Sequence, residues 1–198
     1  GIRYESILTE GNNEEGQKSN QSNVLTPLFH AVWKPVPQSR DQVRMSLTKS
    51  YKTPTLNDLV GKTSLSRETN SPTRTDRISN PGLKPELAVG IDLAVERYLS
   101  GGGVLSANIF RRNISDLIRY VTTERYDTLW APGQRRFVSS PTNVGDAITQ
   151  GLELEAKFAL NQVWSEALPM DVRSNISFFN SKVLDVPGPD NRLDQQPK

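Results

Sequence analysis

Apolar and polar residues alternate one for one along several stretches of this chain, and no other feature restricts its fold as much. From Glu86 to Tyr98, the odd positions from Leu87 to Val95 are aliphatic and the even positions are small or acidic. Successive side chains of a β-strand point to opposite faces, so this pattern predicts a strand with one aliphatic face. The same period recurs in Ile148 to Leu160, Gln42 to Tyr51 and Asp171 to Phe179.

Three further segments carry a weaker or less regular form of this alternation. Ile2 to Thr9 and Leu25 to Lys34 are predicted as strands from shorter runs of the pattern. Between Val104 and Val121 the apolar residues change sides near Phe110 and Arg111. This change predicts a β-bulge, because one extra residue swaps the two faces of a strand. Together the segments predict about seven strands.

The connections between these strands alternate in length. The short ones are Pro35 to Asp41, Ser100 to Gly103 and Asn161 to Pro169. The long, polar ones are Glu10 to Asn23, Lys52 to Pro85, Thr122 to Thr142 and the stretch from Leu184 onward. Short turns at one end and long loops at the other are typical of outer-membrane barrels, whose strands need only ~10 residues. The predicted fold class is therefore all-β: a section of a large up-and-down antiparallel transmembrane β-barrel.

Composition argues against several other classes of protein. The chain has no Cys and a single His, His30, so we expect no thiolate zinc site, cysteine nucleophile or His-based triad. A net charge of +2 gives no reason to expect a nucleic-acid partner. We find no Gly-rich phosphate loop and no metal-ligand spacing, so we expect no enzymatic activity and no cofactor. Glu153 and Glu155 share one strand face, which a solvated barrel wall explains better than a pair of catalytic carboxylates.

Four segments resemble, in order and in spacing, the barrel of TonB-dependent outer-membrane receptors. Tyr51 to Leu59 resembles the family's aromatic-x-x-Pro-Thr-x-x-x-Leu segment, and Asn80 to Glu86 resembles its Asn-Pro-x-Leu-x-Pro-Glu motif. Phe110 to Ile118 resembles the strand after the next short turn. Asn143 to Ala147, followed by Gly151-Leu152-Glu153, resembles the next descending strand.

The resemblance implies a receptor in the outer membrane of a Gram-negative bacterium, with a barrel of about 22 strands around a plug domain. Residues 1–198 would form a partial barrel domain, with long loops outside the cell and short turns in the periplasm. The chain begins at Gly1 without Met and ends in a polar stretch, so we expect a piece of such a barrel. The family's ligands are most often ferric siderophores, and TonB supplies energy through the plug. Outer-membrane lipid would surround the strands.

Candidate ligand contacts mix cations with aromatic rings. Guanidinium groups suit anionic, planar ligands, because they form forked hydrogen bonds and stack on flat groups. The predicted contacts are Arg125, Tyr126, Trp130, Arg135 and Arg136 in one long loop, and Arg44 on a strand. Lone His30 is expected to be an ordinary strand histidine.

Two alternatives remain open at this stage. A soluble all-β sandwich would show the same alternation, with its aliphatic faces buried against a second sheet. A porin or an adhesin would keep the membrane barrel and change its role. In the receptor interpretation, the odd residues from Leu87 to Val95 and the apolar even residues from Leu152 to Leu160 face lipid.

Overall fold

The computed structural model describes residues 1–13 and 16–184. Ten strands and one short helix account for most of this part of the chain. In chain order they are β1 (Ile2–Asn13), β2 (Gly16–Trp33), β3 (Gln42–Lys52), α1 (Leu56–Val60), β4 (Asp76–Arg77), β5 (Glu86–Tyr98), β6 (Val104–Ser115), β7 (Ile118–Arg125), β8 (Arg136–Asn143), β9 (Ala147–Ala159) and β10 (Asp171–Val183). A turn of 3-10 helix, Leu160–Gln162, follows β9.

Seven of the strands form one sheet, in the order β1-β2-β3-β5-β6-β9-β10. Every neighbouring pair in this sheet is antiparallel. The all-β class, the seven predicted strands and their up-and-down order are therefore confirmed. Within the described part of the chain, β1 and β10 lie at the two open edges, so the sheet does not close into a barrel.

The large sheet has one aliphatic face and one polar face. Strand register places Ile91 beside Leu47 on β3 and beside Arg111 on β6, and it aligns Leu93 with Ile109. Ile91 and Ile109 are 46% and 52% exposed. The sandwich alternative required these residues to lie in a closed core between two sheets, so that alternative is wrong.

The three connections predicted to be short lie at one end of the sheet, and the two long connections lie at the other. Residues 34–41, 99–103 and 160–170 join neighbouring strands at the short-turn end. Residues 53–85 and 116–146 are the long connections, and they carry α1, β4, β7 and β8. The predicted alternation of connection length is confirmed for these five connections, whereas the predicted long loop Glu10 to Asn23 is wrong.

Three predicted loops need separate treatment. Glu10 to Asn23 is mostly strand, since β1 and β2 stay paired up to Asn13 and Gly16. Thr122 to Thr142 is largely the β7–β8 hairpin. In both places polar residues occupy both faces of the strands, so no alternation of polarity marks them. The predicted loop from Leu184 onward lies almost wholly outside the described residues.

The predicted β-bulge near Phe110 and Arg111 is wrong. Strand β6 pairs with β5 and with β9 in continuous register through these positions. Phe110 stays on the polar face, where its ring covers Gly151 of the neighbouring strand. The chain instead changes course at Asp116, whose φ of 57° lies in the left-handed region.

The buried apolar residues gather where the long connections meet. Leu59 and Leu83 come from the 53–85 connection and Val138 comes from the 116–146 connection, and each is at most 3% exposed. A second small cluster joins Leu117, Ala147 and Val183 at the same end of the sheet. The packed core of the described chain therefore supports the long connections and leaves both faces of the large sheet open. No helix in this part of the chain has the length and apolar character needed to cross a membrane.

Candidate ligand-binding site

The connection from β3 to β5 starts with a capped helix. Thr55 is the N-cap of α1, and its hydroxyl accepts a hydrogen bond of 3.2 Å from the Asp58 N–H. The Asp58 carboxylate accepts from the Thr55 N–H in return at 3.3 Å, which completes a capping box. Leu59 is buried, so the Pro-Thr-x-x-x-Leu motif anchors this end of the connection through one cap and one apolar side chain.

Two asparagines, one in this connection and one on β8, bond main-chain atoms where the connection ends. Asn80 accepts from the Gly82 N–H at 2.9 Å and donates to the Pro141 carbonyl on β8 at 3.0 Å. Asn143, also on β8, accepts from the Lys84 N–H at 2.9 Å and donates to the Lys84 carbonyl at 3.0 Å. The three bonds to β8 hold the start of β5 against the β7–β8 hairpin, and the bond to Gly82 fixes the turn within the connection.

The hairpin belongs to a second, three-stranded sheet of order β4-β8-β7. Strand β4 runs parallel to β8 and brings Asp76 opposite Val138. Arg125 and Arg136 face each other across the last pair of β7 and β8. Residues 126–135 form the tip beyond this pair, so the structure brings together the five predicted contacts that lie in this loop.

Three of the predicted contacts lie on the outer side of the tip. Arg125 donates two hydrogen bonds of 2.9 Å to the carboxylate of Asp127. The Tyr126 hydroxyl donates to Glu124 at 2.6 Å, and Arg135 holds its guanidinium carbon 5.4 Å from the centre of the Phe137 ring. Tyr126 and Arg135 are exposed. The tip therefore presents the Tyr126 ring and the Arg135 guanidinium to solvent, and the role of these residues as ligand contacts stays a prediction.

Leu129 is a tip residue that the sequence analysis did not single out. Its side chain is exposed, as is that of Tyr126. The tip thus offers a small apolar surface beside its guanidinium groups. A single apolar residue in a polar loop belongs to no periodic pattern, so the sequence offered no reason to select Leu129.

The other two predicted tip residues, Trp130 and Arg136, point inward to Asp76. Arg136 forms a two-pronged pair with the Asp76 carboxylate at 2.8 Å and 2.8 Å, and the Trp130 indole N–H donates to it at 2.9 Å. Asp76 is 0% exposed. Burial alone would raise the pKa of Asp76, but the hydrogen bonds from Arg136, from the Ser66 N–H and from Trp130 outweigh it and leave the pKa below its ordinary value.

Arg44 lies apart from the other predicted contacts, on the polar face of the large sheet. It pairs with Glu96, which also accepts from Gln42 at 2.6 Å and from the Tyr98 hydroxyl at 2.9 Å. This face forms a groove of about 650 Å³. Further pairs along the groove are Arg112 with Asp92 at 2.9 Å and Asn108 with Glu153 at 3.1 Å, and His30 contacts Ser46 at 2.7 Å.

The side chains that line the groove are suited to hydrogen bonds and ion pairs with other groups. Three of its carboxylates, those of Asp92, Glu96 and Glu153, accept from Arg, Gln, Tyr or Asn donors. Among the residues that the structure describes, no group of three or more His, Asp or Glu side chains has metal-binding geometry.

A family model described as TonB dependent receptor-like, beta-barrel matches residues 1–198. No curated protein matches the chain by sequence. Among solved structures, the siderophore receptor PirA of Pseudomonas aeruginosa superposes with a TM-score of 0.63 at 16% identity, over 91% of this chain and 31% of its own. The FrpB iron transporter of Neisseria meningitidis gives 0.62 at 18% identity, over 98% of this chain and 24% of its own. The ferric enterobactin receptor PfeA of Pseudomonas aeruginosa gives 0.57 at 16% identity, over 90% and 24%. The chain thus spans between about a quarter and a third of these structures, and the likeness shows a shared barrel fold.

Proposed function

Because this chain belongs to the TonB dependent receptor-like, beta-barrel family, we propose that it forms part of an outer-membrane receptor that takes up a ferric siderophore with energy supplied through TonB. The observation that carries the proposal is the family match over the whole of residues 1–198. Three structural neighbours are a siderophore receptor, an iron transporter and a ferric enterobactin receptor, which supports iron as the cargo.

In this proposal the aliphatic face of the large sheet meets outer-membrane lipid. Apolar side chains such as Val89, Ile109 and Phe178 are about half exposed or more, which is costly in water and favourable in hydrocarbon. The short turns then lie in the periplasm and the long connections outside a Gram-negative cell. The remaining strands of the barrel pair with the open edges of β1 and β10, since unpaired strand edges are not stable in lipid.

The proposed ligand contacts are three exposed side chains of the hairpin tip and the partly exposed side chain of Arg125 beside it. Arg125 and Arg135 bring positive charge, while Tyr126 and Leu129 bring an aromatic and an aliphatic surface. An anionic ferric complex with flat aryl groups fits both features, because guanidinium groups bond anionic oxygens and stack on planar rings. Trp130 and Arg136 support the same tip from inside through Asp76.

The polar face of the sheet is the proposed wall of the barrel interior. Its paired carboxylates and guanidinium groups suit contact with a plug domain, through which TonB acts in this proposal. We propose binding and transport, with no covalent chemistry on the ligand. The family match favours this role over that of a passive porin or an adhesin.

The proposal is tested by uptake of iron into iron-starved cells that produce the intact protein from the gene encoding this chain. The probes are radioactive iron held by an anionic tris-catecholate complex and by a neutral tris-hydroxamate complex. We expect TonB-dependent uptake of at least one complex. Binding of the anionic complex to the cells is measured as well as its uptake. Replacement of both Arg125 and Arg135 by Ala should raise the dissociation constant of this complex at least tenfold, since a hydrogen bond to a charged group contributes about 1.5–3 kcal/mol.

A matched control removes two positive charges elsewhere in the long connections. Lys62 and Arg67 are exposed, and neither belongs to the tip. Their double replacement by Ala should leave binding within about twofold of the parent, because no charge in the tip is changed. No uptake of either complex by the parent protein, or equal losses in both double variants, would refute the proposed ligand class.

A further inference from the structure

A buried carboxylate joins three parts of the long connections at one point. The Oδ1 atom of Asp76 accepts from the Ser66 N–H at 2.9 Å and from Arg136 Nη2 at 2.8 Å. Its Oδ2 atom accepts from Arg136 Nε at 2.8 Å and from the Trp130 indole at 2.9 Å. Each oxygen therefore has two donors, and Asp76 itself is 0% exposed. Such an arrangement fixes its donors in place, because a buried charge requires them.

The donors to Asp76 come from separate elements. Ser66 lies in the connection between β3 and β5, Trp130 lies in the hairpin tip, and Arg136 begins β8. Sixty positions separate Arg136 from Asp76 along the chain. The carboxylate is therefore a joint between the 53–85 connection and the β7–β8 hairpin.

Other bonds continue the same junction away from Asp76. The Asn70 side chain donates to the Phe137 carbonyl at 3.0 Å and accepts from its N–H at 2.6 Å, as a neighbouring strand would. Tyr120 on β7 donates to Asp58 near α1. The junction thus extends from the hairpin tip to the base of the connection, with Asp76 as its most deeply buried polar group.

We propose that Asp76 is a positioning residue that couples the 53–85 connection to the β7–β8 hairpin, so that the two segments act as one rigid unit and hold the tip in a single arrangement. The coupling of the segments goes beyond the proposed function and is independent of any ligand. Its consequence for capture rests on the proposed function: a fixed tip presents Arg125, Tyr126 and Arg135 without a prior ordering step. Preorganised contacts bind more tightly because less conformational freedom is lost on binding.

Asp76→Asn is the sharpest perturbation, because it keeps the size of the side chain. The amide nitrogen would face N–H groups of Arg136 or Trp130, so a donor would meet a donor in a buried place. Asp127→Asn is the matched control, since Asp127 is an exposed carboxylate on the same tip and also pairs with an arginine. Only the change at Asp76 should loosen the attachment of the 53–85 connection to the β7–β8 hairpin.

The experiment measures a distance between two spin labels in the intact protein, reconstituted in lipid vesicles without ligand. One label replaces Leu65, in the 53–85 connection, and the other replaces Thr123 on β7, and both positions are exposed. Double electron–electron resonance should give one narrow distribution in the parent and in Asp127→Asn. In Asp76→Asn the distribution should broaden and gain a longer population, while the global unfolding midpoint of the barrel stays unchanged. Asp76→Glu keeps the charge, so it should keep a larger narrow population than Asp76→Asn does.

The result that overturns the proposal is a distribution in Asp76→Asn as narrow as that of the parent, or equal broadening in Asp127→Asn. If Asp76→Asn does not reach the membrane, Trp130→Phe removes one donor and leaves the ion pair. It should broaden the distribution to a smaller extent, and a narrow distribution there also overturns the proposal. Since no ligand enters this measurement, its outcome is separate from that of the uptake experiment.

Discussion

Gly151 lies where the polar face of the large sheet has no room for a methyl group. A Cβ at this position would lie 2.7 Å from the Phe178 carbonyl oxygen and 2.8 Å and 2.9 Å from two ring atoms of Phe110. Favourable contacts between carbon atoms begin near ~3.5 Å, so these distances are repulsive. The Phe110 ring can rotate away, but the carbonyl is part of the β10 main chain and cannot move without shifting the strand.

The expected cost of Gly151→Ala follows from two opposing effects. Overpacking of this kind costs about 1–3 kcal/mol. Alanine recovers about 0.5–1 kcal/mol, because glycine loses more chain entropy on entering a strand. The steric effect is larger, so we expect the free energy of unfolding to fall by about 1–2 kcal/mol. The polar face also contains a suitable control in Gly90, whose nearest neighbours are Thr48 Oγ1 at 3.1 Å and Arg112 Cγ at 3.2 Å, both in side chains that can move.

Urea unfolding of the intact protein in lipid vesicles, followed by tryptophan fluorescence, measures these free energies. Gly90→Ala should lie within about 0.5 kcal/mol of the parent. Phe110→Ala should reduce the cost of Gly151→Ala, so the double variant should lose less stability than the sum of the single variants. A stable Gly151→Ala variant, or a loss in Gly90→Ala as large as that at position 151, would refute the reasoning.

Three further outcomes concern single side chains. Leu83→Ala should destabilise the 53–85 connection by about 2–5 kcal/mol, since Leu83 is 1% exposed; hydrogen exchange in residues 78–85 measures this, and unchanged exchange would contradict it. Burial raises the pKa of Asp58, but hydrogen bonds, led by that from Tyr120, leave the pKa below its ordinary value of 3.8. The stability from this contact is therefore complete above that value and is lost as the pH falls through the folded-state pKa. The protection factors of the α1 amides, which are corrected for the intrinsic pH dependence of exchange, should fall on acidification in the parent and stay level in Asp58→Asn. Arg44→Ala should cost only about 0–1 kcal/mol in urea unfolding, because the Arg44 side chain is 52% exposed in its pair with Glu96; a loss above 2 kcal/mol would indicate a buried role.

The large sheet was predictable because one of its faces is mostly aliphatic. That face imposes a period of two on β5, β9 and their neighbours, and the period survives in the sequence without any structural information. Beyond the aliphatic region the signal disappears. The outer halves of β1 and β2 are polar on both faces, so their pairing up to Asn13 and Gly16 left no periodic pattern.

The hairpin tip was predictable only as a local composition of cations and aromatic rings. Its five candidate residues are close in sequence, so any loop would keep them near one another. The inward direction of Trp130 and Arg136 depends on Asp76, which precedes Arg136 by sixty positions. Asp76 stands in a polar stretch among several other charged residues, so nothing local distinguishes it from a solvated carboxylate.

The β-bulge predicted near Phe110 shows a different limit on what periodicity can predict. An apolar residue on a polar face looks like a change of register when the neighbouring strand is unknown. Here the space above Gly151 accommodates the ring, and Phe179 on the next strand lies 5.8 Å away between ring centres. Glycine on one strand and aromatic rings on its neighbours compensate for each other, and a single strand cannot show this.

The asparagine bonds at the long connections have a consequence for how this surface can diverge. Asn20 donates to the carbonyls of Pro81 and Leu83, and Asn70, Asn80 and Asn143 likewise bond main-chain atoms of their partner segments. Every residue type supplies a main-chain carbonyl, and every type except proline supplies an N–H, so most side-chain changes at the partner positions keep the bonds. Mutational tolerance should therefore be uneven, with the four asparagines restricted and their exposed partners free to vary. Such a framework allows the side chains on the surface of these connections to diverge while the connections keep their course.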